Sequence, residues 1–247
     1  MKRSGWLIFI IMYIGVLPVR AQQYTGLSGL LHVPSAEMHR EGDARIGGHF
    51  LNRQMTPGRI FQLNGKKYHT FDYYLAITPF EWVEASYVCT AFLRNSPNNK
   101  RRFKEKDRYF SLKLNPLKEG KYWPALAVGC NDWFDSRSGW DGEGGELYFA
   151  NVYVAATKHV RWNGNEVGAH LAYRHFKRDY NHRWNGVVGG LTFRPSFAKE
   201  LRAIVEWTGN ELNVGVDYNL WHHWALQASL WNGKQFAGGV CYYLNLF

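Results

Sequence analysis

Alternation of apolar and polar side chains is the dominant pattern in the C-terminal third of the chain. From Leu212 to Leu220 every second residue is apolar, and the residues between them are asparagine, glycine or aspartate. Successive side chains of a β-strand point to opposite faces, so this run predicts a strand with one apolar and one polar face. Residues 200–208 and 223–231 repeat the pattern. We therefore expect consecutive strands here and not helices.

Short turn signals separate these runs. Thr208-Gly209-Asn210 lies between two of them, and Asn232-Gly233 follows the third. Asn-Gly is a strong hairpin signal because both residues tolerate a positive φ. Applied to the whole chain, the same criteria predict twelve strands, near residues 43–53, 68–78, 80–93, 107–116, 122–133, 147–158, 166–177, 185–194, 200–208, 211–220, 223–231 and 235–247.

The predicted connections differ in length. Thr78-Pro79 is a tight turn, whereas 52–67, 94–106 and 135–146 are long and polar. Short turns on one side and long loops on the other are typical of bacterial outer-membrane barrels, whose even strand number brings both ends to one side. Closure also removes the exposed edges of an open sheet. The sequence therefore predicts an all-β fold, an antiparallel up-and-down transmembrane β-barrel of about 12 strands.

The N-terminus has the features of a cleavable secretory signal peptide. Lys2 and Arg3 precede an apolar run that ends near Leu17, and Val19-Arg20-Ala21 is a small-residue cleavage site. The run is shorter than the roughly 20 residues that a transmembrane helix needs. We predict a signal peptide over 1–21, a segment over 22–42 that enters or plugs the barrel, and a barrel domain over 43–247.

Composition narrows the class of protein further. Aromatic residues make up 17% of the chain, and tryptophan and tyrosine favour the boundary between membrane and water. The net charge is +10, and removal of the three basic residues of the signal peptide leaves 27 basic and 20 acidic residues, or +7. Such a charge can attract anionic lipid headgroups or an acidic polysaccharide, but solvated basic loops are the favoured explanation. Nucleic acid is not expected as the partner of an exported chain.

The cysteine and histidine patterns predict neither a disulfide framework nor a metal site. The three cysteines are an odd number without a close pair, so we expect them to act as small apolar residues. The histidines lack the close spacing of a strong metal site. We expect no cofactor and no metal.

Several segments, in order along the chain, resemble the YjbH family. Residues 26–38 have the sequence GLSGLLHVPSAEM, which is similar to that family's opening pattern GLxGLIxxPSAxM. Further similar segments lie at 42–47, 122–129, 148–158, 185–190 and 206–215. The resemblance implies an outer-membrane protein associated with exopolysaccharide production and secretion, with other envelope secretion proteins as partners. The well-known members are much longer, and the resemblance provides no catalytic residues.

The polar faces of the predicted strands supply the candidate lumen residues, which are Lys113, Asn151, Arg174, Asn185, Arg202, Glu206, Asn213, Asp217 and Gln227. A barrel of about twelve strands lies between the small filled barrels and the open porins. Two interpretations stay open. The residues form a network that satisfies its own hydrogen bonds, or they line a passage or cleft that contacts a glycan.

The leading hypothesis is an outer-membrane barrel that takes part in exopolysaccharide or capsule biosynthesis or export. It would be a structural or transport component and not an enzyme, with outer-membrane lipid and a surface polysaccharide as partners. One alternative is a secreted or periplasmic barrel that binds a glycan or lipid, which would be polar outside and apolar inside. The other is an outer-membrane hydrolase or acyltransferase with His170, His175, His222 or His223 as its base, although the chain has no Gly-x-Ser-x-Gly elbow.

Overall fold

A computed structural model describes residues 22–57, 61–95, 101–135, 147–221 and 223–246. The predicted signal peptide and His222 lie outside these residues. Fourteen strands and one 3₁₀ helix (η1) form in the described ranges: β1 Asp43–Leu51, β2 Gln62–Leu63, β3 Lys66–Lys67, β4 Thr70–Phe80, β5 Val83–Asn95, β6 Arg101–Leu117, β7 Ala125–Asp135, β8 Asn151–Trp162, β9 Asn165–Phe176, η1 Asp179–Trp184, β10 Gly186–Arg194, β11 Leu201–Trp207, β12 Leu212–Leu220, β13 Trp224–Trp231 and β14 Gln235–Asn245.

Twelve of the described strands close into one antiparallel barrel. The order follows the chain from β4 to β14, and β1 pairs with both β4 and β14. The closing ladder runs from Asp43 opposite Asn245 to Phe50 opposite Gly238. The predicted all-β barrel of about 12 strands is therefore confirmed. Among the described residues, no helix has the length and apolarity needed to cross a membrane.

The predicted turn at Thr78-Pro79 is wrong. Both residues lie in β4, and the chain turns at Glu81-Trp82. Pro79 falls at a register irregularity between Ile77 and Phe80, where its missing N–H breaks no ladder hydrogen bond. Proline therefore marks a bulge here and not the end of the strand.

The predicted loop over 94–106 is also too long. β5 continues to Asn95 and β6 begins at Arg101, so this hairpin has longer arms than its neighbours. The charged residues at 101–106 obscure the alternation that identifies the other strands. Backbone hydrogen bonds maintain the pairing, which a charged side chain does not prevent.

The barrel is apolar outside and polar inside. In the paired strands β11 and β12, Val205 and Val214 are exposed, whereas Glu206 and Asn213 are fully buried. A soluble barrel has the reverse arrangement, so this surface is that of a membrane-embedded barrel. Exposed aromatic residues surround both ends, as at membrane interfaces. They are Phe80, Trp82, Trp123, Trp162, Phe193, Trp221 and Trp224 at one end, and Phe50, Phe71, Phe103, Trp133, Trp207 and Phe236 at the other.

The two ends differ in their connections. The end where β1 begins, here called the turn end, includes the two-residue turns Glu81-Trp82 and Asn163-Gly164. Asn163 and Gly164 have φ of 48° and 79°, the positive values that a tight hairpin requires. The opposite end, here called the loop end, has the longest connections, 52–69 and 136–150. The predicted short turn at 208–210 lies at this loop end as well.

Aromatic packing fills the interior of the loop end. The hairpin β2–β3 brings Phe61 into the barrel mouth, where its ring stacks on Phe92 with centroids 4.5 Å apart. Phe149 lies 5.8 Å from Phe61, and Leu51 and Trp231 belong to the same buried cluster. Burial of such large side chains stabilises this end of the barrel.

Candidate functional site: the occupied lumen

The N-terminal segment Gln22 to His39, here called the plug, lies inside the barrel. All 18 of its residues are buried. Two backbone turns give it a compact shape, because Gly26 N–H donates to Gln23 O at 2.9 Å and Leu30 N–H donates to Val33 O at 3.0 Å. The plug contacts inward-facing residues of strands from β5 to β13, so it crosses the lumen and does not follow one wall.

Glu206 on β11 holds the second turn of the plug. Its carboxylate accepts the backbone N–H groups of three consecutive residues, Leu31, His32 and Val33, at 2.9–3.1 Å. Asn213 Nδ2 donates to the same carboxylate at 3.0 Å. Consecutive N–H groups that converge in this way form an anion-binding nest. These hydrogen bonds compensate for the cost of burying the Glu206 charge.

The tip of the plug, at His32, packs among aromatic rings near the loop end. The His32 ring stacks on Tyr24 with centroids 5.3 Å apart, and Trp184 and Trp231 lie at 4.9 and 5.2 Å. Arg174 Nη1 donates to His32 O at 2.8 Å, and Arg174 Nε donates to Trp184 O at 2.8 Å. The arginine therefore links the tip of the plug to the barrel wall and to η1.

A second group of buried charges holds the plug near the turn end. Glu84 on β5 accepts Ser28 N–H at 2.9 Å and forms an ion pair with Lys113 on β6 at 3.2 Å. Lys113 Nζ also donates to Ser28 O at 2.8 Å and to Glu37 O at 2.6 Å. Arg45 lies 3.7 Å from Glu84. Glu84 and Lys113 thus each have both an opposite charge and backbone partners, which a buried charge requires. Arg45 contributes only its ion pair, because none of its guanidinium nitrogens has a hydrogen-bond partner among the described residues.

Arg202 joins the plug to Asp217 on β12. Its Nη1 donates to Glu37 Oε2 at 2.9 Å, and its Nη2 donates to Gly29 O at 3.0 Å. Its Nε donates to Asp217 Oδ2 at 3.1 Å. Gln227 Nε2 completes the group by donating to Asp217 Oδ1 at 2.9 Å. The guanidinium fork therefore binds plug and wall at the same time.

Most of the predicted lumen residues meet at the plug. Six of them (Lys113, Arg174, Arg202, Glu206, Asp217 and Gln227) hydrogen-bond to it or to one another, and Asn213 acts through Glu206. Asn151 is buried but bonds to Asn131 and to Phe149 O. Asn185 lies in the connection before β10, half-buried, where its Oδ1 accepts Phe176 N–H. Contact between these residues and a glycan stays a prediction.

Sequence reasoning missed Glu84 and Glu37. Glu84 shares its inward face with Ser86 and Thr90, so the polar face of β5 was a usable signal. Glu37 had no such signal, because the plug has no strand periodicity.

Outside the membrane-spanning strands, Glu119 has a shifted pKa at the turn end. Burial alone would raise the pKa of this carboxyl, but hydrogen bonds from His159 and Lys158 outweigh it and lower the pKa. His159 Nδ1 lies 2.7 Å and Lys158 Nζ 2.9 Å from the Glu119 oxygens. Glu119 therefore stays ionised beside His159, whose other ring nitrogen faces Glu37 of the plug.

Comparison with known proteins finds one family and a set of distantly similar solved structures. The model of the family described as exopolysaccharide biosynthesis protein YbjH matches residues 21–172. No curated protein matches the chain. Outer membrane phospholipase A from Escherichia coli is similar at 12% identity, over 84% of this chain and 98% of that one, with a TM-score of 0.37. The Salmonella typhi outer membrane phospholipase dimer with bound calcium is similar at 14% identity, over 84% and 92% of the chains, also with a TM-score of 0.37.

Proposed function

The chain belongs to the YjbH exopolysaccharide biosynthesis family, and we propose that it is an outer-membrane barrel that takes part in the production or export of a surface polysaccharide. It acts as a structural or transport component and not as an enzyme. The observation that carries the proposal is a polar lumen, inside an apolar exterior, that is filled by the protein's own N-terminal segment.

The lumen suits the passage of a hydrated polymer once the plug moves. Much of the contact between plug and wall is polar, through Glu84, Lys113, Arg202 and Glu206. These side chains can exchange their plug hydrogen bonds for water or sugar hydroxyls, so displacement leaves a polar wall. The plugged form keeps the outer membrane sealed while no polymer is crossing.

The loop end is basic in the described part of the chain. Its exposed and half-buried cations include Arg53, Lys66, Lys67, Arg102, Lys177, Arg178, Arg183 and Lys234. An exposed carboxylate, Asp179, lies at the same end, 3.6 Å from His182. Glu211, on the same end, is buried and lies 3.5 Å from Arg183. A positive rim raises the local concentration of an anionic polymer. It favours an acidic polysaccharide over a neutral one.

The positions of the described histidines favour a role without catalysis. His170 lies between the hydroxyls of Thr157 and Thr192, each 3.1 Å away. His223 lies 3.2 Å from Tyr243 O, and His175 is exposed beside His182 and Asn185. Within the described ranges none of these three histidines contacts a serine hydroxyl, which a serine hydrolase requires.

Deletion of the gene in the source bacterium, followed by complementation, tests the proposal. We expect the deletion to reduce extracellular polysaccharide, and the wild-type chain to restore it and to fractionate with the outer membrane as a band that shifts on boiling. The double variant His175→Gln, His223→Gln should complement fully. Unchanged polysaccharide, or a soluble protein, would refute the barrel role. Failure of the histidine variant alone would favour an enzyme.

A further inference from the structure

Three side chains with metal-binding atoms converge where the plug meets the wall near the turn end. Glu37 belongs to the plug, His159 to β8 and His170 to β9, and one ligand atom of each lies within 4.8 Å of the other two. Strand register explains the histidine pair. His159 is opposite Gly168 and Thr157 is opposite His170, so the two imidazoles are diagonal neighbours on the inward face.

Glu119 orients the His159 ring. A carboxylate has no proton to donate, so the 2.7 Å contact between Glu119 Oε2 and His159 Nδ1 places the N–H on Nδ1. His159 Nε2 then faces Glu37 Oε1, at 3.4 Å. A carboxylate that holds the second nitrogen of a histidine is the usual support of a metal ligand. Two ligand atoms of a tetrahedral Zn²⁺ are separated by about 3.4 Å, so this pair already has the required spacing.

Thr157 orients the second histidine. Its Oγ1 accepts Ala36 N–H at 2.9 Å and lies 3.1 Å from His170 Nδ1. His170 Nε2 lies 3.1 Å from Thr192 Oγ1, a hydroxyl that can rotate away. With its proton on Nδ1, His170 presents Nε2 as a ligand and keeps its bond to Thr157.

Gly168 provides the space between the two rings. A Cβ at this position would lie closest to Thr192 Oγ1, 2.8 Å from His170 Nε2 and 3.0 Å from His159 Cδ2. Glycine at position 168 therefore leaves open the space that a side chain would fill between the two imidazoles. Arg202 binds Oε2 of Glu37 and leaves Oε1 directed at His159.

We propose that Glu37, His159 and His170 bind a divalent transition-metal ion such as Zn²⁺, which fastens the plug to β8 and β9. Two neutral imidazoles and one carboxylate are a donor set of Zn²⁺ sites and of non-haem iron sites. The sequence does not indicate these three ligands as a site, because Glu37 is more than 100 residues from both histidines. Only closure of the barrel around the plug brings them together.

Calorimetric titration of the purified, chelator-treated protein in detergent with Zn²⁺, and with Mg²⁺ as the comparison ion, tests the site. We expect about one Zn²⁺ per chain and no comparable Mg²⁺ binding. His170→Gln should weaken Zn²⁺ binding at least tenfold, and Glu119→Gln about 10–100-fold. His175→Gln, which removes an exposed histidine of the same strand, should leave it unchanged. Equal affinity in wild type and His170→Gln would overturn the site.

A second variant covers the case in which His170→Gln does not fold. Gly168→Ala keeps all three ligands and fills the space between the rings, so it should abolish Zn²⁺ binding. Hydrogen exchange tests whether bound Zn²⁺ holds the plug against β8 and β9. Zn²⁺ should slow exchange of the plug amides 28–37 at least tenfold in wild type and not in Gly168→Ala. Binding without this protection would refute the link to the plug, and equal protection in both proteins would refute the site.

Discussion

Glu206 and His32 are joined twice, because both carboxylate oxygens of Glu206 accept the backbone N–H of His32, at 3.1 and 2.9 Å. The neighbouring amides of Leu31 and Val33 bond to the same carboxylate. One side chain of the wall thus satisfies three consecutive donors of the plug. The donors are backbone N–H groups, so the side chains of the plug cannot take over their role. Glu206 therefore controls the position of the plug tip.

We expect Glu206→Gln to loosen the plug. The amide has nearly the same shape but lacks the charge, and it directs a donor at N–H groups that are themselves donors. A loss of about 3 kcal/mol corresponds to a roughly 100-fold higher open probability. Single-channel recording in planar bilayers measures it. Glu81→Gln, in an exposed ion pair with Lys118, is the matched control and should stay closed. A closed Glu206→Gln channel would contradict the anchoring role.

Deletion of residues 22–39 should open the lumen. The wall charges, among them Glu84, Lys113 and Arg202, would then face water and pair with one another or with solvent. We expect a folded barrel, identified by its mobility shift on boiling, that swells liposomes in a manner dependent on sugar size. A folded deletion variant without conductance would mean that the loop-end aromatic cluster closes the barrel alone.

Gly215 is expected to set how closely the plug approaches β12. A Cβ on Gly215 would lie 2.8 Å from Leu31 Cδ2 and 2.9 Å from Ala228 O. Gly215→Ala should therefore displace the plug, at a cost of about 1–3 kcal/mol. Gly189→Ala is the control, because its Cβ would approach a backbone oxygen, His170 O at 2.7 Å, without a plug residue nearby. Equal channel opening in both variants would show that strain in the wall, and not the plug, is responsible.

The apolar exterior predicts a depth-dependent penalty for charge. Val216 is exposed near the centre of β12, whereas Val160 is exposed near the turn end of β8. Val216→Arg should lower the free energy of unfolding from lipid vesicles by about 2–4 kcal/mol. Val160→Arg should lower it by about 0–1 kcal/mol. Denaturant titration in vesicles measures both. Equal costs at the two positions would argue against a membrane-spanning wall.

The sequence was sufficient to predict the strands of the barrel wall. It was not sufficient to predict the contacts of the segment that fills the lumen. Two-residue alternation identifies twelve strands because each has one apolar and one polar face, as in the run from Leu212 to Leu220. The alternation fails at Pro79, where a bulge resembles a turn. It also fails after residue 158, where the predicted strand ends although β8 continues to Trp162 before the turn at Asn163-Gly164. The same alternation found Arg202 and Glu206.

The plug and its partners required the closed structure. The groups of the plug that bind the wall lie in a segment of irregular backbone turns, which has no sequence periodicity. They are Glu37, Ser28 and the amides of residues 31–33. Their partners lie up to 175 residues away in the chain. Local patterns carry no information about such distant pairs.

The position of the plug also constrains the order of assembly. It precedes β1, yet it bonds to Glu206 and Arg202 on β11, and β1 must still pair with β14. A segment that is made early therefore stays without its partners until nearly the whole sheet exists, and contacts between such distant parts of a chain form slowly. Closure of the first strand against the last traps the segment within the finished sheet, so the barrel is sealed from the moment it is complete.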